Sequence, residues 1–241
     1  MYDYNRGCCD NICYSGVADI FRLPKFSLSF FRTQIAEGSM LPSGKMPYEV
    51  FIPAYRDEIL SDTVMVYGNV DEVELVLNGK TIRRQTADKG PDSDYISVPN
   101  GGNGKNLHFP PFTFYGVPKE RGVLKAVGYH QGKKVAEYTV KTPGVPERLD
   151  ITYFESGKPA TKNDLLIVYV RMLDKQGVLC PVNGIPVELS VQGGEIVGPT
   201  SYPLEAGVAS FLVRTGEISK ININATGKGF STRKSLKVGK E

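Results

Sequence analysis

The stretch Glu72-Val-Glu-Leu-Val-Leu-Asn-Gly-Lys-Thr-Ile-Arg-Arg84 decides the fold class. Val73, Leu75 and Leu77 share one face of a period-two pattern and Glu72 and Glu74 share the other, so this segment reads as a strand with one buried side. Asn78-Gly79 then supplies two residues that accept positive φ, as a type I′ hairpin turn demands. The chain is therefore expected to return antiparallel through residues 80–84.

The same texture extends outward from this hairpin. Short apolar runs at 48–52 and 63–67, bounded by Pro, Asp and Gly, read as strands before it. Segments 107–114, 122–129 and 133–141 come after it, the last two joined by a tight turn at Gln131-Gly132. Residues 88–106 are polar and Gly-rich and read as a long loop. About seven short strands in roughly 100 residues is the count of an immunoglobulin-like sandwich. Thr142-Pro-Gly-Val-Pro146 reads as a linker stiffened by its prolines. Beyond it, segments 148–154, 164–173, 185–191, 207–214, 220–226 and 233–238 predict a second antiparallel sandwich, with turns at 155–158 and 174–177. The two halves share an architecture without an obvious sequence repeat. The expected fold class is mainly β, two immunoglobulin-like sandwiches in tandem.

Residues 1–38 differ in texture from the rest of the chain. Pro24 suits the first position of a helix, where its missing N–H costs nothing. Phe26, Phe30 and Thr33 come next at i, i+4 and i+7, and Leu23, Phe31 and Ile35 widen the stripe. Gly38 is the expected stop. The helix is expected to dock on the first sandwich, and residues 1–17 to be irregular.

Composition narrows the function. A chain of 241 residues carries a prior of two domains, and 41% hydrophobic residues suffice for packed cores. A net charge of +3 is too weak for an electrostatic grip on nucleic acid. No apolar stretch approaches the length of a spanning helix, and the opening residues lack the apolar core of a secretion signal. With two His in the chain, a multi-His metal site would need Cys or carboxylate help. Cys8, Cys9 and Cys13 lack paired C-x₂-C spacing and Cys180 is remote, so free thiols are expected rather than a metal site or a disulfide.

The search for chemistry is mostly negative. His108 and His130 have no Gly-x-Ser-x-Gly partner motif. Gly101-Gly-Asn-Gly-Lys105 lacks the spacing of a phosphate-binding loop. Arg83-Arg84 and Lys133-Lys134 read as solvated strand faces. No catalytic, cofactor-binding or metal residue is therefore assigned, and no cofactor is expected. Asp3-Tyr-Asn-Arg-Gly7 alone has functional texture: its acid, amide and guanidinium beside tyrosines suit a carbohydrate pocket, a solvated terminus being the plainer alternative.

At these residues a family resemblance begins. Tyr2-Asp-Tyr-Asn-Arg-Gly, then Ser15-Gly-Val-Ala-Asp-Ile-Phe-Arg-Leu-Pro-Lys-Phe and Phe30-Phe-Arg-Thr-Gln, resembles the end of the catalytic (β/α)8 barrel in glycoside hydrolase family 2, nearest its β-galactosidase-like members. Asp71-Glu-Val-Glu-Leu-Val-Leu-Asn-Gly-Lys resembles a hairpin of the sandwich after that barrel. Val145-Pro-Glu-Arg-Leu and Val187-Glu-Leu-Ser-Val-Gln-Gly-Gly-Glu-Ile-Val-Gly resemble the invasin-like sandwich that closes many such chains. The resemblance implies three parts: a barrel remnant over 1–38, a sandwich over 45–143 and a second over 144–241. It implies that the two glutamates that hydrolyse β-glycosides with retention lie upstream of this segment, so the chain alone would be non-catalytic. It also implies that Asp3, Asn5 and Arg6 stand at the rim of the sugar pocket and that the parent enzyme is periplasmic or secreted. Its partner would be a carbohydrate substrate, with no nucleic acid and no membrane span. The competing expectation is a free-standing adhesin or carbohydrate-binding module, which would have no reason to carry a barrel's last helix.

Overall fold

The computed structural model describes residues 2–5, 12–56, 60–88, 107–154 and 159–239. The chain is mainly β, built of antiparallel sheets, and its contacts divide it into two units, Met1–Thr142 and Pro143–Glu241.

In the first unit, Glu72–Leu77 and Lys80–Thr86 form the expected hairpin, with Asn78 and Gly79 at φ 52° and 81°. The hairpin belongs to a four-stranded sheet in the order Lys133–Lys141, Val123–His130, Glu72–Leu77, Lys80–Thr86. A three-stranded sheet of Val50–Phe51, Val64–Gly68 and Phe112–Phe114 shares its core. Val66, Val73, Leu75, Phe112, Phe114 and Leu124 meet there with no exposed surface. Four strands against three is the immunoglobulin-like arrangement. Val50 presses so closely on the sheets that a Cβ at Gly68 or Gly128 would lie 2.9 or 2.7 Å from its Cγ1.

The helix spans Phe26–Thr33, with Lys25 as its N-cap. Pro24 thus precedes the cap rather than filling the first helical position. The backbone is still extended there, because Pro24 bridges Ala18 and the Lys25 N–H bonds the Val17 carbonyl. The helix also stops before Gly38. Gln34 caps it, and Gly38, at φ 78°, sends its N–H to the Met46 carbonyl beside a small hairpin of Met40–Leu41 and Gly44–Lys45. The helix docks on the first sandwich through its aromatic stripe. Phe26 meets Phe51 edge-on at 5.7 Å and Phe30 meets Tyr67 at 5.0 Å. Arg32 pairs with Glu49, and the Gln34 amide exchanges two hydrogen bonds with the Phe109 backbone. Phe31, on the far side, is 55% exposed. The opening segment is more ordered than expected: Tyr4–Asn5 pairs with Ile12–Cys13, and Tyr2 bridges Ala18 in parallel. Local patterning misses this because two-residue strands carry no period.

The second unit closes two four-stranded sheets. One runs Arg148–Tyr153, Leu165–Leu173, Val208–Thr215, Gly194–Ile196; the other Ser201–Pro203, Pro186–Gln192, Lys220–Gly227, Phe230–Lys237. Ile151, Val170, Met172, Leu189, Phe211 and Ile221 fill the space between them. The strands Gly194–Ile196 and Ser201–Pro203 escape sequence patterning because three residues are too few to show alternation. The loop expected up to residue 106 and the turn at 155–158 lie, from 89 on in the first case and wholly in the second, outside the described residues. Asp174 is buried in the turn after Leu165–Leu173, and its carboxylate accepts the Gly144 and Val178 N–H groups at 2.7 and 2.8 Å. Burial alone would raise its pKa, but the N–H groups of Gly144, Val178, Gln176 and Gly177 together hold it below the ordinary carboxylate value.

Two stability measurements test this packing. Leu75→Ala, which empties the centre of the first core, is expected to cost about 2–5 kcal/mol in thermal or denaturant unfolding of the first unit. Asp174→Ala strands buried N–H groups and is expected to cost the second unit about 1–3 kcal/mol at pH 7. A carboxyl with a depressed folded pKa stabilises above its unfolded value of about 3.9 and loses that contribution as pH falls through the folded one. Melting the wild type and Asp174→Asn from pH 6 to pH 3 should therefore show the gap between them closing at the acidic end.

Candidate functional site

The cluster singled out in the sequence is held by Asp3. The side chain is 2% exposed, and its Oδ1 accepts the Gly16 N–H at 2.8 Å and the Lys25 ammonium at 2.7 Å. Lys25 also donates to the Tyr14 carbonyl at 2.9 Å. One carboxylate thus joins the opening strand, the loop at 14–18 and the helix N-cap. Gly16 makes this possible: a Cβ there would fall 2.2 Å from the Asp3 nitrogen and 2.4 Å from the Tyr2 carbonyl carbon. Asn5 lies in the strand paired with Ile12, while the Asn5 side chain and all of Arg6 lie outside the described residues. Tyr2, Tyr4 and Tyr14 are exposed, with the Arg22 guanidinium 5.7 Å over Tyr2 and the Lys25 ammonium 5.9 Å over Tyr14. Exposed rings beside cations offer flat apolar faces with polar edges, the surface a sugar ring can lie against.

Two carboxyls here are displaced in opposite directions. The Lys25 hydrogen bond holds Asp3 below its ordinary pKa, against the effect of burial and with help from the Gly16 N–H. Burial pushes Asp19 up, and the negative Asp3 adds to that. Divergent carboxyls mark acid/base pairs in hydrolases. Here, however, both serve the backbone, since Asp19 accepts the Leu23 N–H at 2.8 Å across the turn before the helix. The pair fastens the segment.

The remaining sequence candidates resolve in the same way. His130 Nδ1 lies 3.1 Å from Asp71, and its ring stacks on Tyr48 at 5.0 Å. Asp71 also accepts the Gln131 N–H at 2.8 Å, the main reason its pKa is lowered, so the group closes the Gln131-Gly132 turn. Arg84 is more than a solvated strand face: its guanidinium lies 3.7 Å over the Tyr129 ring and pairs with Glu72. Cys180 is buried beside the Gly144 carbonyl, and Cys8 and Cys9 lie outside the described residues. Among the described residues no group of three or more His, Cys, Asp or Glu is placed to hold a metal ion. No described helix is long and apolar enough to cross a membrane. Sequence reading missed Arg56, which is buried beside a cleft in the first sandwich.

Residues 61–136, spanning the central hairpin, match a family model described as a domain of unknown function (DUF4982). A β-galactosidase of Rhizobium radiobacter is 30% identical over 129 residues, which cover 53% of this chain and 92% of that protein. The chain belongs to glycoside hydrolase family 2. A second family relative, a β-galactosidase of Thermoanaerobacter pseudethanolicus, is 33% identical over 230 residues, 89% of this chain and 29% of that one. The family 2 fold is seen directly in a solved β-glucuronidase of glycoside hydrolase family 2, which superposes with a TM-score of 0.78 at 22% identity over 100% of this chain and 24% of its own. The chain therefore spans less than a third of the length of these two longer family members.

The close approach at Gly16 yields a direct test. Gly16→Ala must push Tyr2 and Asp3 away, and is expected to cost about 1–3 kcal/mol, as overpacking does. Asp3→Asn should leave the core of the first sandwich intact while releasing the opening strand. Hydrogen exchange should show faster exchange at Asp3, Gly16 and Lys25 in both variants, with Val73 to Leu77 unchanged.

Proposed function

We propose that this chain is the C-terminal accessory region of a retaining family 2 β-glycosidase, one that acts on carbohydrate β-glycosidic bonds. The observation that carries the reading is the extent of similarity: 89% of this chain aligns with a β-galactosidase of which it spans only 29%. In that setting the first 38 residues are the last loop and helix of the catalytic barrel, and residues 45–143 and 144–241 are accessory sandwiches that fold independently. The exposed faces of Phe31 and Ile20 are then covered by the rest of the barrel. Asp3, Asn5 and Arg6 stand at the rim of the sugar site, Asp3 shaping it through Lys25 and Gly16 rather than reaching the sugar. The partner is a carbohydrate rather than nucleic acid, and the parent enzyme works outside the cytoplasm.

Retention needs two carboxyl groups about 5 Å apart, one as acid/base and one as nucleophile. Asp3 and Asp19 are occupied by backbone and Lys25, which supports the reading that the chain alone is inactive. Incubation with aryl β-galactosides and aryl β-glucuronides should give hydrolysis no faster than the buffer blank. Turnover lost on replacing an acidic residue of this chain would overturn the reading. The sandwich boundary is tested separately: residues 143–241 alone should unfold in one cooperative transition with the circular dichroism of a β protein.

A further inference from the structure

A cleft of about 280 Å³ opens in the first sandwich beside the segment after Val50–Phe51. Pro53, Tyr55, Leu60 and Met65 form much of its wall, Ser61 and Thr63 stand on one side, and Arg56 lines it. Arg56 is 5% exposed. One Nη donates to the Glu120 carbonyl at 2.6 Å, but the buried Nε has no hydrogen-bond partner, and among the described residues no carboxylate lies within ion-pair distance of the guanidinium. Burial lowers its pKa, as expected of a desolvated charge without a counter-ion.

Such a group is costly to keep. A buried charge is ordinarily paired, and a buried donor left unmade costs the desolvation of that donor. The comparison within this chain is direct. The other buried, unbonded guanidinium nitrogen among the described residues is Nε of Arg171, and that side chain is neutralised by Asp150 at 2.5 Å. Among the described residues Arg56 has no such neutralisation. It is also held at φ 55°, in the left-handed region that a non-glycine residue enters at a cost. Strain, an unmade donor and an unpaired charge meet at one cleft.

We propose that this cleft is a binding site for an acidic sugar, with Arg56 receiving the carboxylate of a hexuronate residue. The guanidinium lines the cleft with its charge unpaired among the described residues, and a carboxylate at the cleft wall would supply the missing negative charge. Pro53 and the exposed Tyr55 provide an apolar wall for the ring, and Ser61 and Thr63 line the same cleft as polar residues. The volume accommodates a single small ring. The carboxylate half of this assignment stands on Arg56 alone, whereas the sugar half rests on the proposed role in carbohydrate hydrolysis.

Titration of the whole chain with D-glucuronate, D-glucose, acetate and sulfate, followed by calorimetry and by amide NMR, tests the site. Glucuronate should saturate and shift the amides of Tyr55, Ser61 and Thr63, with glucose, acetate and sulfate each at least tenfold weaker. Arg56→Gln should weaken glucuronate at least tenfold. Ser61→Trp, which adds bulk to the lining of the cleft and leaves Arg56 in place, should do the same and decides the matter if Arg56→Gln does not fold. Glucose binding as tightly as glucuronate, no shift at these amides, or wild-type affinity in the folded variants would overturn the site. Sulfate at equal affinity would overturn the carboxylate assignment, and acetate at equal affinity the sugar. Hydrolysis of aryl glycosides by the chain would bear only on its proposed accessory role, so the two readings fail separately.

Discussion

A strand shows alternate side chains to opposite faces, and that parity determines how the first unit is put together. Val64 and Val66 turn into the core while Tyr67, between Val66 and Gly68, turns out. On the neighbouring strand Val50 packs inward and Phe51 faces away from the core. The outer face of this small sheet therefore carries Phe51 and Tyr67 side by side, and Phe26 and Phe30 of the helix settle on them. Shifting either strand by one residue would bring the aromatics into the core and leave the helix without a seat. The tie between the opening segment and the sandwich is thus a consequence of register.

Polar groups then lock what register permits. Asn69 is buried, and its amide accepts the Glu49 N–H at 2.6 Å while donating to the Ile35 and Pro47 carbonyls at 3.0 Å each. One side chain satisfies backbone groups from two other segments, the chain just beyond the helix and the stretch at 47–49. Asp3 does the same for the opening strand and Asp174 for the start of the second unit. In each case the partner groups include backbone atoms that would otherwise be left unpaired away from water, which is why small amides and acids occupy these positions.

Legibility in the sequence tracks the range of the forces involved. The hairpin at 72–86 is readable because alternation and the Asn78-Gly79 turn both act within a few residues. The long strands of both units and the helix docking are readable for the same reason, since each carries its own period. Pro24 departs from its expected place because a bridge to Ala18 overrides its preference for a helix start. The short strands at Tyr4–Asn5, Gly194–Ile196 and Ser201–Pro203 exist only through their partners. Burial of Asp3 depends on Lys25, 22 residues away, and Arg56 reaches a carbonyl 64 residues away. No local pattern announces either.

This difference in range also separates fasteners from sites. Buried or shifted acids draw attention as possible catalytic groups, yet Asp3 and Asp19 through Oδ1, and Asp174 through both oxygens, accept from N–H groups or an ammonium of the same chain. Their perturbed pKa values are the electrostatic signature of backbone fastening, a signature that active sites share. Complete hydrogen bonding therefore argues against a group's availability to a ligand, and a shifted pKa argues for neither. The useful discriminator is what remains after every internal partner has been assigned. For the acids nothing needs explaining. For Arg56 the Glu120 carbonyl answers one donor, while among the described residues the buried Nε–H and the positive charge stay unanswered beside a cleft lined by Tyr55. A folded chain tolerates such a remainder most readily where something from outside supplies the missing half.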